Sequence, residues 1–102
     1  MNLLSSTKVE SSSLSTSATR VWAVNASRIG VQIHASSSNG ANLLISSVDA
    51  GASAPSLTVA TAQYEISPGQ TFESDGRFSG LKDVYVAMVS GTGAFDAYEV
   101  VN

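Results

Sequence analysis

Ile29-Gly-Val-Gln-Ile-His-Ala35 alternates apolar with small or polar side chains and runs through Ser36-Ser-Ser-Asn39-Gly40 into Asn42-Leu-Leu-Ile-Ser46. The alternation is the period-2 signature of a strand with one buried face, here Ile29, Val31, Ile33 and Ala35. Asn-Gly readily takes the φ > 0 conformations of tight turns, so the stretch predicts two strands paired as a hairpin. The same pattern recurs outward from it, with turn residues at intervals of roughly ten. Arg20-Val-Trp-Ala-Val24 reads as a strand closed by Asn25, and Ala62-Gln-Tyr-Glu-Ile66 as another. Ser67-Pro68-Gly69-Gln70 is a turn, with Pro pre-set for its second position and Gly for its third. Thr71-Phe-Glu73 then leads to a second turn at Asp75-Gly76. Asp83-Val-Tyr-Val-Ala-Met-Val89 and Ala94-Phe-Asp-Ala-Tyr-Glu-Val-Val101 flank Ser90-Gly-Thr-Gly93, which predicts a terminal hairpin. Residues 47–62 are loop-like, with Leu57-Thr-Val59 as a short candidate edge strand. No segment carries a sustained helical apolar stripe with caps. The fold class expected is all-β, a single jelly-roll-like β-sandwich.

The first 18 residues have another character. They are rich in Ser and Thr, contain no Gly or Pro, and place apolar side chains at Leu3, Leu4, Val9 and Leu14. That spacing fits neither a helix nor a strand. The segment reads as an extended arm that orders when it lies on something, which divides the chain into an arm over 1–18 and a β-sandwich domain over 19–102. Leu3, Leu4, Val9 and Leu14 are then candidate partner contacts. Trp22, between Val21 and Val24, suits either a core position or a partner anchor.

At 102 residues there is room for one domain. A chain of this size buries only about two-thirds of the surface its unfolded form exposes. Nothing staples it, because it has no cysteine and a single histidine, His34. Disulfides, thiolate metal sites and a histidine-based zinc site are therefore not expected. Charged residues make up 13% of the chain, around half the usual share, and the formal net charge is −3. Lys8, Arg20, Arg28, Arg77 and Lys82 are scattered, which argues against nucleic acid as a partner. Ser and Thr, about a quarter of the residues, supply the polarity instead. Such side chains lose little entropy on packing, which suits a permanent assembly. No apolar run approaches the ~20 residues of a membrane span. Met1 to Leu4 has no basic or hydrophobic leader character, so the expectation is synthesis in a cytosol and no membrane.

No constellation with reactive chemistry emerges. Gly91-Thr-Gly93-Ala-Phe-Asp96 lacks the third Gly of a dinucleotide fingerprint and joins two strands, so it offers no helix N-terminus to a phosphate. Gly-x-Ser-x-Gly is missing, and His34, on the polar side of its strand, would need both a Ser and an Asp in line. Glu65 and Glu73 flank the Pro68-Gly69 turn and could lie opposite one another as an acid–base pair. In a chain this small they read better as solvated strand ends. Asp75, Asp83 and Asp96 match no calcium loop. Asn25-Ala-Ser27 is a glycosylation triplet of the kind a Ser-rich chain contains by chance. Tyr64, Phe72, Phe78, Tyr85, Phe95 and Tyr98 are spread one or two per strand, as core filling requires. The expectation is a protein that is not an enzyme and needs no cofactor or metal.

Several motifs taken in order carry a resemblance. They are Thr16-Ser-Ala-Thr-Arg20, Asn25 with Arg28 before an Ile/Val-rich strand, Ile66-Ser-Pro-Gly-Gln-Thr-Phe72, Val84-Tyr-Val-Ala87, Ser90-Gly-Thr-Gly93 and Tyr98-Glu-Val-Val101. Together they resemble the small β-sandwich virion proteins of tailed bacteriophages, over roughly Thr16 to Val101. The resemblance implies a structural virion component, most specifically a capsid decoration (cement) protein made in the host cytoplasm. It would sit on the capsid surface and clamp neighbouring major capsid protein subunits. Its arm would add a strand to a neighbour, and self-association as a homotrimer would hide its edge strands. A tail, baseplate or fibre module is the nearest alternative. A host-surface glycan-binding module, using exposed aromatics such as Trp22 or Tyr64, is the alternative of another class.

Overall fold

The computed structural model of the chain describes residues 5–74 and 82–101. Eight strands follow in order: β1 (Ser5–Leu14), β2 (Thr19–Trp22), β3 (Arg28–Ala35), β4 (Leu43–Asp49), β5 (Tyr64–Ile66), β6 (Thr71–Ser74), β7 (Lys82–Met88) and β8 (Gly93–Val101). All pairs are antiparallel, and the sheets have the orders β1-β8-β3-β6 and β2-β7-β4-β5. This is the strand order of a jelly roll, and the expected all-β sandwich is the fold of the chain. No helix occurs among the described residues.

Alternation along the strands builds the core. β8 turns Gly93, Phe95, Ala97 and Glu99 inward and Ala94, Asp96, Tyr98 and Val100 outward. Ile33 and Ala35 of β3, Leu43 and Ile45 of β4, and Val84, Val86 and Met88 of β7 close the space between the sheets, with Trp22, Phe72 and Leu14 around them. Each fully buried aliphatic side chain contributes about 1.5–3 kcal/mol.

β7 differs from β8 in having both faces buried. The connection 50–63 is the reason. It lays Leu57 on Leu44, Tyr85 and Ala87, the residues of β4 and β7 that face away from the main core, with Ala18, Val48 and Ala62 at the margin. Thr58 and Thr61 tie the end of this connection: the Thr58 amide donates to Thr61 Oγ1 at 2.9 Å, and Thr61 Oγ1 donates to the Ser56 carbonyl at 2.8 Å. Leu57-Thr-Val59, expected as an edge strand, is thus a turn-bearing clamp.

The structure departs from several expectations. β3 and β4 do not form a hairpin, and neither do β7 and β8; each pair is split between the sheets. Gly40 lies outside the glycines with positive φ, which are Gly51, Gly69 and Gly91. Asn39 instead reaches β8 with its side chain, accepting from the Ala94 amide at 2.7 Å and donating to the Ala94 carbonyl at 2.9 Å. Ile29 is not on the core face with Val31. The β3–β8 register shifts between Arg28 and Gly30, which turns Arg28 inward and leaves Ile29 45% exposed. Glu65 and Glu73, read as solvated strand ends, are exposed; they lie on different sheets and bond to Asn42 and Gln32 respectively. Finally, Ser5–Leu14 is extended, as expected of the arm, but it lies along its own chain, paired with β8 from Ser5↔Val101 to Leu14↔Gly93. The Pro68-Gly69 turn follows the sequence reading, with Gly69 at φ 86° and the Gln70 amide donating to the Ser67 carbonyl at 3.0 Å. The Asp75-Gly76 turn lies outside the described residues.

Candidate interaction surface

The two sheets present different outer faces. The face of β7 and β4 is covered by 50–63, whereas the outward side of β1-β8-β3-β6 is open and polar. A lateral row crosses it in register: Glu10 opposite Asp96, Asp96 opposite His34, and His34 opposite Thr71. His34 Nδ1 lies 2.9 Å from Thr71 Oγ1. A concavity of about 510 Å³ opens beside the row, walled by Glu10, Ser12, His34, Ser36 and Asp96. Two residues along, Lys8 pairs with Glu10 at 3.2 Å and sits 6.0 Å from the Tyr98 ring centroid. The Glu10 hydrogen bond and charge, with Tyr98 and Asp96 behind them, hold the Lys8 ammonium above its ordinary pKa. Asp49 is held below the usual carboxylate range by its hydrogen bond and charge pairing with Lys82.

This row has the groups from which a recognition surface is built. Hydroxyls, two carboxylates and one imidazole spread across four strands can accept and donate hydrogen bonds over a broad area. Among the described residues no group of three or more His, Cys, Asp or Glu converges to hold a metal ion. His34 is engaged with a threonine.

The residues singled out as contacts fall in different places. Leu3 and Leu4 lie outside the described residues. Val9 packs half-buried against the main core, Leu14 is buried within it, and Trp22 is only 6% exposed. Tyr64 is half-buried with its ring centroid 4.7 Å from that of Phe72. Sequence reasoning passes over Glu10, and meets Lys8 only as a scattered cation and Asp96 only as a carboxylate outside any calcium loop. Their signal was the alternation of Lys8 and Glu10, which places both on one face of β1.

Asn25 and Arg28, which carried part of the resemblance, build a buried polar knot. Arg28 Nε donates to Glu99 Oε2 at 2.7 Å, Nη1 to the Lys82 carbonyl at 3.0 Å, and Nη2 to the Ala23 carbonyl. Asn25 Nδ2 donates to Glu99 Oε1 at 3.3 Å, and the Arg28 guanidinium lies 5.8 Å from the Trp22 ring centroid. Buried Asp83 accepts from the Val24 amide at 2.8 Å and the Gly51 amide at 3.3 Å. These residues tie β2, β3, β7 and β8 together at one end of the sandwich, so that part of the motif is a fold signature.

No family model matches the chain, and no curated protein matches it. Among solved structures it is similar to a chain of the Bacillus endospore appendages, a family of disulfide-linked pili. The TM-score is 0.54 at 14% identity, over 98% of this chain and 87% of that one. At that identity the likeness establishes the sandwich fold. This chain has no cysteine with which to form a disulfide.

Proposed function

We propose that the chain is a non-catalytic structural subunit of a surface assembly and, more specifically, a capsid cement protein of a tailed phage. In this reading it binds the outer shell of major capsid protein subunits and stabilises it. The observation that carries the reading is the asymmetry of the two sheets. One outer face is covered by the chain's own 50–63 connection, and the other is a broad, open polar face on which hydroxyls stand among Lys8, Glu10, His34 and Asp96. Such a face offers a partner hydrogen-bond donors and acceptors over a wide area, and repetition over a shell multiplies weak contacts into durable attachment. Similarity to a pilus chain supports a sandwich suited to repetitive assemblies.

Co-sedimentation with capsids prepared without the protein tests the reading. Saturable binding at a fixed copy number per capsid subunit, with particles more resistant to heat, is the expected result. Failure to bind capsids alongside binding to purified tails replaces it with a tail, baseplate or fibre module. Binding to host-surface glycan that is lost in Tyr64→Ala replaces it with a glycan-binding module.

A further inference from the structure

Of the four strands at sheet edges, β2, β5 and β6 span only four, three and four residues, and β2 is further broken by a register shift between Arg20 and Trp22. Short, irregular edges are poor templates for another strand. β1 is the exception: it is ten residues long, stands last in its sheet, and pairs without interruption from Ser5 to Ser11. Among the described residues, no strand lies beside the backbone donors and acceptors of its outer edge.

We propose that this edge pairs antiparallel with β1 of a second copy, about a twofold axis at Val9, to give one continuous eight-stranded sheet. Length is the first reason, because no other sheet edge among the described strands can match ten residues. Charge is the second. An antiparallel twofold at Val9 sets each residue n opposite residue 18 − n, so Lys8 of each copy stands opposite Glu10 of the other. Thr7 falls opposite Ser11 and Ser6 opposite Ser12, and the two Val9 residues meet beside the core that each already packs on. The third reason is Glu10's position. On its own sheet it stands opposite Asp96, a like-charge arrangement that disfavours pairing. Lys8 of the same strand, 3.2 Å away, offsets part of that repulsion, and the twofold adds Lys8 of the second copy on the free side. The result is an isologous contact that closes at two copies, in place of the expected homotrimer. The inference concerns the isolated chain and does not depend on what the assembly is.

Lys8 and Glu10 side chains are 45% and 65% exposed, so charge substitutions there leave the monomer fold intact, which far-UV circular dichroism checks. Sedimentation velocity over a concentration series should find the chain converting from 10.5 kDa to twice that mass. K8E sets Glu against Glu and E10K sets Lys against Lys, so each should weaken the dimer by about tenfold or more. The double swap K8E/E10K restores opposite charges and should restore the dimer. An equimolar mixture of the two single variants should form a mixed dimer that neither forms alone. A wild-type chain that stays monomeric, a dimer insensitive to both single variants, or species that keep growing with concentration would each overturn the proposal. The last outcome would mean head-to-tail pairing of unlike edges.

Discussion

Replacing Arg28 by Ala leaves the Glu99 carboxylate buried without its cation, and the Lys82 and Ala23 carbonyls without a donor. The expected cost is about 3–5 kcal/mol in urea unfolding. Pairing Arg28→Met with Glu99→Leu should recover most of it, because no uncompensated charge then remains. Trp22 separates two roles in the same way. Its Nε1 is buried with no hydrogen-bond partner among the described residues, a penalty on the order of 1–3 kcal/mol that the core tolerates. Trp22→Phe removes that N–H along with some volume and should cost less than ~2 kcal/mol, whereas Trp22→Ala opens a cavity worth about 3–5 kcal/mol. A partner anchor would behave differently, losing binding while the melting temperature held. Asp49 makes a pH prediction. Its carboxyl sits below its ordinary value of 3.8, so its contribution is complete above that value and is lost as pH falls through the lowered one. Asp49→Asn should therefore melt slightly below wild type near neutrality and converge with it in acid. Added salt should shrink the gap, because the Lys82 pair is exposed.

Among the elements, parity decides what the sequence could reveal. In a regular strand, residues an odd number apart face opposite ways. Val9 and Leu14 are five apart, yet both reach the same core because the β1–β8 register shifts between Ser11 and Leu14. That irregularity makes the first segment look patternless, and with so few apolar residues it reads as an arm. Arg28 and Val31 are three apart and both buried, again across a register shift. Parity would have put Ile29 inside, and the bulge puts Arg28 there. β2 to β8 were legible to within a few residues, β3 and β8 by their alternation and β4 and β7 as short apolar runs bounded by turn residues. Their partners were not, since a period of two says which residues share a face but not which sheet receives the strand. The open polar face was visible only once Asp96 and His34 were known to be neighbours. The 50–63 connection was hidden for a different reason: one leucine holds it. Leu57→Ala should destabilise by about 2–3 kcal/mol and raise hydrogen exchange in β4 and β7 more than in β3.

Across the whole molecule, every consecutive pair of strands except β4 and β5 lies on opposite sheets. Nearly all pairing is therefore between segments distant in the chain, and refolding is expected on a scale of about milliseconds to seconds, measurable by stopped-flow fluorescence of Trp22. If the molecule pairs through β1, its melting temperature should rise with protein concentration. That slope should flatten in K8E while the dilute-limit value stays unchanged. The covering connection has one more consequence. Leu57 is its anchor and the Thr58–Thr61 bonds its knot, while Val59 between them is 60% exposed and touches neither sheet's pairing. A foreign peptide spliced after Ser53, exposed and ahead of both anchor and knot, would leave the strands and the polar face as they are. The protein thus carries a ready display point, on the side of the molecule away from the face proposed to grip the shell.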